Sequence, residues 1–346
     1  MTIAILFGGT SPERRVSVAS AQHMLDLLVQ IEPCTPWFEG PDGAISFPSE
    51  EELRAHQRVF ETDFLPRAPP AFPSLAAALD GASVDAGASV FFLALHGGTG
   101  EDGTVQKQLE ARALAFTGSG SLASARAFDK TVAKQLVRDR GVRTAEAIVL
   151  PQNDVGRARR ALDGLMALHG RIVVKPVAGG SSFGLYHVLT AEDAARAAEA
   201  VARADEIYLA EEFIDGPELT IGVVENGGVR ALPATEVRLD PGRAFDFEGK
   251  YLGKGSIELT PAQVPDEVAR GAQALAIAAH EALGCEGYTR TDLIVGKRGP
   301  VFLEINTLPG LTRASFIPQK LTAEGTSMLS FLSGQLGLAR KRAARG

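Results

Sequence analysis

The sequence predicts an α/β protein that opens on a parallel sheet, with two or three structural domains in one globular unit. Three observations lead there. The apolar run at residues 2–7 stops at Gly8-Gly9 and gives way to a helical pattern, with Val16, Ala19, His23 and Leu27 recurring at helical spacing. A second apolar run, residues 89–95, ends in the glycine-rich stretch 96–103 and is followed by a helix from 104 to about 112. Strand, glycine-rich loop and helix in repetition is how parallel sheets are assembled, with functional loops at the carboxyl ends of the strands. Finally, 346 residues with 45% hydrophobic content exceed what one small core needs.

In order, residues 33–74, rich in Pro, acids and Phe, are expected to be irregular. A short strand at 113–116 leads to Thr117-Gly118-Ser119-Gly120. A helix over about 128–140 ends at Gly141, a natural C-cap. Beyond it the texture changes. Strands are expected at 145–150 and 171–175 around a helix near 154–169. A Gly-Ser loop at 177–184 lies between two strands, and a helix follows at about 191–204. Strands follow at 207–211, 218–224 and 228–234, then a polar loop at about 240–256 and an Ala-rich helix at 268–283. Residues 287–295 and 300–305 read as paired strands across the turn 296–299, and the chain closes with a helical segment from about Gly325.

Charge excludes some functions. The net charge is -7 and Lys and Arg are interspersed with acids, so no nucleic-acid footprint is expected. The basic cluster Arg340-Lys341-Arg342 with Arg345 reads as a solvated, frayed tail. Cys34 and Cys285 are too far apart for a metal spacing, and Cys285 reads as a small core residue. The first residues have no basic region ahead of a long apolar run, and no segment reaches the ~20 apolar residues of a membrane span. The expectation is a cytoplasmic protein with no membrane partner.

Four constellations can carry chemistry. Residues i and i+2 of a strand share a face, so Glu304 and Asn306 share one, and Arg290 and Asp292 share one on the adjacent strand. Paired, they bring together two carboxylates and an amide oxygen, hard ligands suited to Mg²⁺ with nucleotide phosphates, beside an Arg that can hold a negatively charged transition state. The alternative is a surface ion pair. Second, Lys175-Pro176 precedes Gly179-Gly180-Ser181-Ser182-Phe183-Gly184, where small residues let backbone N–H groups approach phosphate oxygens and the Lys serves as a point charge. An ordinary Gly/Ser hairpin would look the same. Third, Glu211-Glu212-Phe213-Ile214 after an apolar strand, with Glu218 opening the next, could face adenine and ribose or be merely solvated. Fourth, Gly8-Gly9-Thr10-Ser11-Pro12-Glu13 opens a helix that could bind an anion, although an acid in the first turn also suits the helix dipole. His96 before its Gly-rich acidic loop is as ambiguous.

Taken in order, the segments GGTSPERRVS (8–17), HGGTGEDGTVQ (96–106), TGSGSLASARAFDK (117–130), VKPVAGGSSFG (174–184), EEFIDGPE (211–218), KYL (250–252), GYTRTDL (287–293) and EINTLPGLT (304–312) resemble the D-alanine–D-alanine ligase family of ATP-grasp enzymes. The resemblance runs from Phe7 to Pro318, apart from 33–88. It implies a three-domain ATP-grasp fold: an N-terminal α/β parallel-sheet domain at 1–118, a central domain at 119–212 and a C-terminal domain at 213–346, the last two α+β in character, with ATP between them. By the resemblance, Lys130 and Lys175 contact ATP phosphates, Glu211, Glu212, Phe213 and Ile214 line the adenine pocket, and Glu218 holds the ribose. Asp292, Glu304 and Asn306 bind two Mg²⁺ ions, with Mn²⁺ as an alternative. Glu13, Ser181 and Tyr251 form a hydrogen-bonded set across the substrate site, with Glu13 and His96 near the first D-alanine. Lys250 faces the phosphates and second substrate, Arg290 and the Gly310 N–H stabilise the oxyanion, and Ser315 and Phe316 border the second D-alanine.

The implied partners are D-alanine and ATP, and the implied assembly is a homodimer. Rivals are a D-alanine–D-lactate or D-alanine–D-serine ligase, from which Tyr251 beside Lys250 argues away, and a regulatory nucleotide-binding protein that has lost its chemistry. The loops at 177–184 and 240–256 are natural lids over the nucleotide. Three departures from the family's pattern, Arg15, Gly179 and Glu212, put the charge near Glu13 and the affinity for ATP in question.

Overall fold

A computed structural model of the chain describes residues 1–81, 89–180, 184–239 and 256–345. Ser181, Lys250 and Tyr251 lie outside these residues, as does most of the 240–256 loop.

The N-terminal part is built on β1 (Thr2–Gly8), α1 (Arg14–Leu28), β2 (Cys34–Glu39), β3 (Ile45–Ser46), α2 (Glu50–Ala55), α3 (Leu75–Gly81), β4 (Ser89–Leu93), α4 (Thr104–Glu110) and β5 (Ala115–Phe116). Its sheet runs β3-β2-β1-β4-β5, parallel but for the short edge strand β3. The loops after β1 and β4, carrying Glu13 and His96, emerge side by side from this sheet.

Residues 34–55 therefore hold two strands and a helix where an irregular stretch is expected, and residues 56–74 are irregular as expected. Pro36 stands inside β2, and a Pro is tolerated where the ladder is incomplete. Here β3 pairs only with Phe38 and Glu39, which leaves Pro36 without a neighbour on that side. The acids have a local use too: Ser49 and Glu52 form a reciprocal capping box at the start of α2.

Two helices, α5 (Ser121–Phe128) and α6 (Lys130–Arg138), follow. The helix expected over about 128–140 is α6, which starts at Lys130 because Asp129 is extended and its carboxylate accepts from the Thr131 and Val132 N–H groups as the N-cap; α5 is an additional helix. The central unit holds β6 (Ala147–Val149), α7 (Val155–His169), β7 (Ile172–Pro176), β8 (Tyr186–Val188), α8 (Ala191–Arg203) and β9 (Tyr208–Glu212). Its antiparallel sheet, ordered β6-β9-β7-β8, buries one face against α7 and α8 around Leu162, Ile172, Val174, Ala198 and Tyr208.

The remainder comprises β10 (Glu218–Glu225), β11 (Val229–Ala231), β12 (Thr235–Leu239), β13 (Ser256–Leu259), α9 (Asp266–Leu283), β14 (Tyr288–Gly296), β15 (Gly299–Asn306), α10 (Phe316–Glu324) and α11 (Met328–Ala343). The antiparallel sheet runs β13-β12-β10-β14-β15, with β11 beside β10. Strand alternation divides its labour. Leu219, Ile221, Val223 and Leu293 join α5, α6 and α9 in one core. Tyr288 and Val224 turn the other way, into a core shared by α10, α11 and the N-terminal strand β1. Gly325, at φ 82°, ends α10 where a helix was expected to begin.

The basic C-terminal cluster is not a frayed tail. Arg340 pairs with Glu32 at 2.5 Å, and Arg342 donates to the Phe116 and Gly118 carbonyls and to Glu286 while its guanidinium lies 4.0 Å from the centre of the Phe116 ring.

Candidate active site

The four-stranded and six-stranded sheets face each other across a cleft of about 1010 Å³, closed at one end by the N-terminal loops that carry Ser11, Glu13 and Gly97. That volume is at the upper end of what encloses a drug-sized ligand. Lys130, Lys175, Glu211, Glu212, Phe213, Ile214, Glu218, Asp292 and Glu304 all line it.

On the central-sheet side the cations are held by one buried carboxylate. Glu211 on β9 pairs with Lys175 on β7 at 2.5 Å and with Lys134 on α6 at 2.8 Å. The second contact is a close charge pair without hydrogen-bond alignment, since neither Lys134 Nζ nor Glu211 Oε2 has a well-directed partner. Burial pushes the Glu211 carboxyl up, but the Lys175 and Lys134 charges outweigh it and hold it at about 2. Burial alone would depress Lys175; Glu211 and Glu304 reverse this and raise it. Burial prevails at Lys134, which is lowered. The Glu211 carboxylate is thus taken up by the two lysines. Lys130 Nζ donates to the Gly179 carbonyl at 2.6 Å and lies 3.6 Å from Glu304, tying α6 to the Gly-Ser loop.

On the opposite sheet the register brings the expected quartet together: Arg290 lies opposite Asn306 and Asp292 opposite Glu304, with a bulge immediately after Asp292. Arg290 Nε and Nη2 grip both Asp292 oxygens at 2.9 and 2.8 Å, and Asn306 Oδ1 accepts from the Leu308 N–H at 2.8 Å. Among the described residues no cluster of three or more His, Cys, Asp or Glu side chains has metal-holding geometry. The donors of this corner are two carboxylates and an amide, all hard oxygens and too few for a closed cage. That set fits Mg²⁺, which keeps several waters and shares substrate phosphates.

Glu13 is buried at the start of α1, and its side chain makes no helix-capping bond, so capping does not explain it. Its Oε2 would lie only 2.6 Å from a Cβ on Gly97, and 3.6 Å from one on Gly180, so both glycine loops close on this carboxylate. His96 is buried, with Nε2 3.0 Å from Ser20 Oγ. Burial, reinforced by Arg290, lowers it to about 4 against the pull of Glu13. Glu101 accepts from the Gly97 N–H at 2.9 Å, and burial beside Glu13 raises it to about 8. At the far wall, a Cβ on Gly310 would sit 2.8 Å from Ser315 Oγ and 4.0 Å from His96 Cε1. Ser315 Oγ meets the Thr312 N–H and hydroxyl, and the Phe316 ring lies 5.7 Å from the Arg290 guanidinium.

The departures resolve locally. Arg15 pairs with Asp63 at 2.8 Å and donates to the Phe60 carbonyl, which engages its charge on the 58–63 turn. Gly179, at φ 102°, has the left-handed backbone that favours glycine, and Glu212 binds the Glu146 N–H and lies 3.5 Å from His169. Three residues escaped sequence reasoning: Lys134, Glu101 and Lys320. Lys134 was legible, being one helical turn beyond Lys130 and so on the same face. Glu101 stood in a quoted motif without a role. For Lys320, in Pro318-Gln319-Lys320, no sequence signal distinguishes a buried lysine from a solvated one.

Comparison with known proteins decides the family. The model for the D-ala D-ala ligase N-terminus matches residues 2–119, and that for the D-ala D-ala ligase C-terminus matches 136–334. The chain belongs to the D-alanine–D-alanine ligase family. A D-alanine–D-alanine ligase of Leptospira interrogans is 36% identical over 98% of both chains. Among solved structures of the family's fold, the VanG D-Ala:D-Ser ligase of Enterococcus faecalis superposes with a TM-score of 0.79 at 28% identity, over 98% of this chain and 99% of that one. The Bacillus anthracis D-alanine–D-alanine ligase complexed with ATP does so at 0.74 and 26%, over 100% and 98%. The three-part ATP-grasp architecture is thereby shared, and no described helix is long and apolar enough to cross a membrane.

Proposed function

We propose that this chain joins two D-alanines at the expense of ATP, giving D-alanyl-D-alanine, ADP and phosphate by way of an acylphosphate, as a step in peptidoglycan precursor synthesis. The observation that carries this is the convergence on one cleft of Asp292 and Glu304, of Lys130 and Lys175, and of Glu13, with Arg290 and Asn306 in register beside the two acids and His96 behind Glu13. An ATP-consuming step of this kind is cytoplasmic, and the enzyme is expected to be a homodimer.

A carboxylate is a poor electrophile. Attack of the first D-alanine's carboxylate oxygen on the γ-phosphorus, with breakage of the β–γ bridge, releases ADP and supplies a leaving group. The second D-alanine's nitrogen then attacks the acyl carbon, and the tetrahedral oxyanion collapses with loss of phosphate. Lys130 and Lys175 hold the phosphates, Glu211 to Ile214 border adenine, Glu218 takes the ribose, and Glu13 with His96 orients the first D-alanine. Arg290 and the Gly310 N–H face the oxyanion, and Ser315 and Phe316 seat the second D-alanine. Asp292, Glu304 and Asn306 would hold the two Mg²⁺, which neutralise charge on the transferring phosphoryl group. Ser181, Lys250 and Tyr251 complete the site in this scheme.

A D-alanine–D-serine or D-alanine–D-lactate ligase is the second reading, favoured by the likeness to VanG. Phosphate release with MgATP and D-alanine, alongside L-alanine, D-lactate and D-serine, separates the two. Release with D-alanine alone and dipeptide by mass spectrometry is expected. Release that requires D-serine or D-lactate would favour the second reading, and ATP binding without release would favour a different amine substrate or a nucleotide-binding regulator.

A further inference from the structure

Lys320 has no solvent exposure, yet nothing in the scheme above uses it. Its ammonium reaches back from α10 to the six-stranded sheet. Nζ donates to the Thr220 carbonyl and to Thr235 Oγ1, each at 2.6 Å, and approaches the Pro233 carbonyl at 3.4 Å. The amine thus meets three oxygens, and burial lowers its pKa well below that of an ordinary lysine, against the pull of Asp292 and Glu258. The aliphatic stem crosses Gly222, where an added Cβ would meet Lys320 Cδ at 3.3 Å. An apolar residue of similar length would fill the same space without desolvating a charge, so a fully buried lysine here calls for a reason.

The surroundings supply one. Thr220 lies directly opposite Asp292 on β14, and Gly222 directly opposite Arg290. Thr235 pairs with Thr220 from the other side. The Phe316 ring, at the first turn of α10, stands 5.6 Å from the Lys320 ammonium and 5.7 Å from the Arg290 guanidinium. One buried amine therefore links three things: the strand beside Arg290 and Asp292, the strand β12, and the helix start that carries Ser315 and Phe316.

We propose that Lys320 is a positioning residue for the second substrate, pinning Ser315 and Phe316 at a fixed distance from Arg290 so that the incoming amine meets the acyl carbon held there. Lys320 touches no substrate itself. It acts through Phe316 and the first turn of α10, and so bears on the affinity for the second amino acid more than on ATP or the first. This rests on the seating of the second D-alanine at Ser315 and Phe316 given above.

The test is steady-state kinetics on the full-length enzyme, resolving the two D-alanine KM values and that for ATP, with Tm measured in parallel. Lys320→Met is expected to raise the second D-alanine KM about tenfold while the ATP and first D-alanine KM change less than twofold. Thr235→Val, which removes one acceptor and keeps the lysine, should raise the same KM by severalfold. In Lys320→Ala, n-butylammonium should restore part of it, a response that loss of packing alone would not give. A folded Lys320→Met enzyme with all three KM values within twofold of the parent overturns the proposal. So does a uniform rise in all three. If Lys320→Met does not fold, Thr235→Val decides in the same way. Ser315→Ala is the control for the seating: an unchanged second KM there would remove the seating and the proposal together, whereas a raised KM with silent Lys320→Met and Thr235→Val removes the proposal alone.

Discussion

Replacing Glu211 by Gln should unfold this protein more readily at neutral pH, by an amount that can be worked from the cation–carboxylate–cation arrangement. The carboxyl falls from an ordinary 4.5 to about 2 in the folded chain. A drop of that size corresponds to a few kcal/mol, at about 1.36 kcal/mol per pKa unit. Breaking a buried ion pair from one side costs about 3–5 kcal/mol, because the partner charge stays buried and uncompensated. The two routes agree, and here two cations are left, one of them Lys134 at 1% exposure. The sign follows from a depressed acid. The stabilisation is full above the unfolded value of 4.5 and drains away as pH falls through about 2. Calorimetric unfolding of parent and Glu211→Gln should therefore differ by about 4–7 °C at pH 7. The gap should narrow between pH 4.5 and 2 as the parent loses what the variant never had. Equal Tm at pH 7, or a gap that stays constant into acid, would refute the idea that this triad stores the energy assigned to it.

Three further outcomes are expected. Arg290→Lys keeps a charge but cannot span both Asp292 oxygens, and kcat should fall by about 10²–10³ with a small change in Tm, measured by phosphate release. Gly97→Ala would drive a methyl to 2.6 Å from Glu13 Oε2 at φ 65°, so the first D-alanine KM should rise about tenfold or more while the ATP KM holds, as kinetics at saturating ATP would read. Glu39 has a buried Oε2 with no partner among the described residues, and burial raises its carboxyl to about 7. A raised acid binds its proton better when folded, so its stability contribution is present below the unfolded value of 4.5 and is lost as pH climbs through 7; Glu39→Gln should match the parent near pH 4 and gain up to about 3 kcal/mol at pH 8, by denaturant titration.

What the sequence disclosed follows from range. Alternation on β14 and β15 is a local property, so the Arg290–Asp292 and Glu304–Asn306 quartet could be read from i, i+2 spacing and then stood in register. Glycine-rich loops after β1 and β4 were legible because the breaker residues are themselves the signal. Local signals misled where a distant partner decides. Pro36 argued against a strand, yet β2 forms because β1 is beside it. Arg340 and Arg342 looked solvated until Glu32, Glu286 and Phe116 arrived from far up the chain. Asp129 sets the start of α6 and separates it from α5, through a cap that its residue type signals. Lys320 is the extreme case, since its burial depends on two strands meeting one helix.

The core that β1 shares with Tyr288, Ile317 and Phe331 has a mechanical meaning. It welds the wall that carries Glu13 and His96 to the wall that carries Arg290 and Asp292, and Arg340 and Arg342 rivet the seam from outside. The central sheet, by contrast, keeps a core of its own. Two jaws result, one of them made from both ends of the chain. The Glu13–His96 corner and the Arg290–Asp292 corner are thus tied through one continuous core, and the wall that carries Lys175 and Glu211 is packed on another.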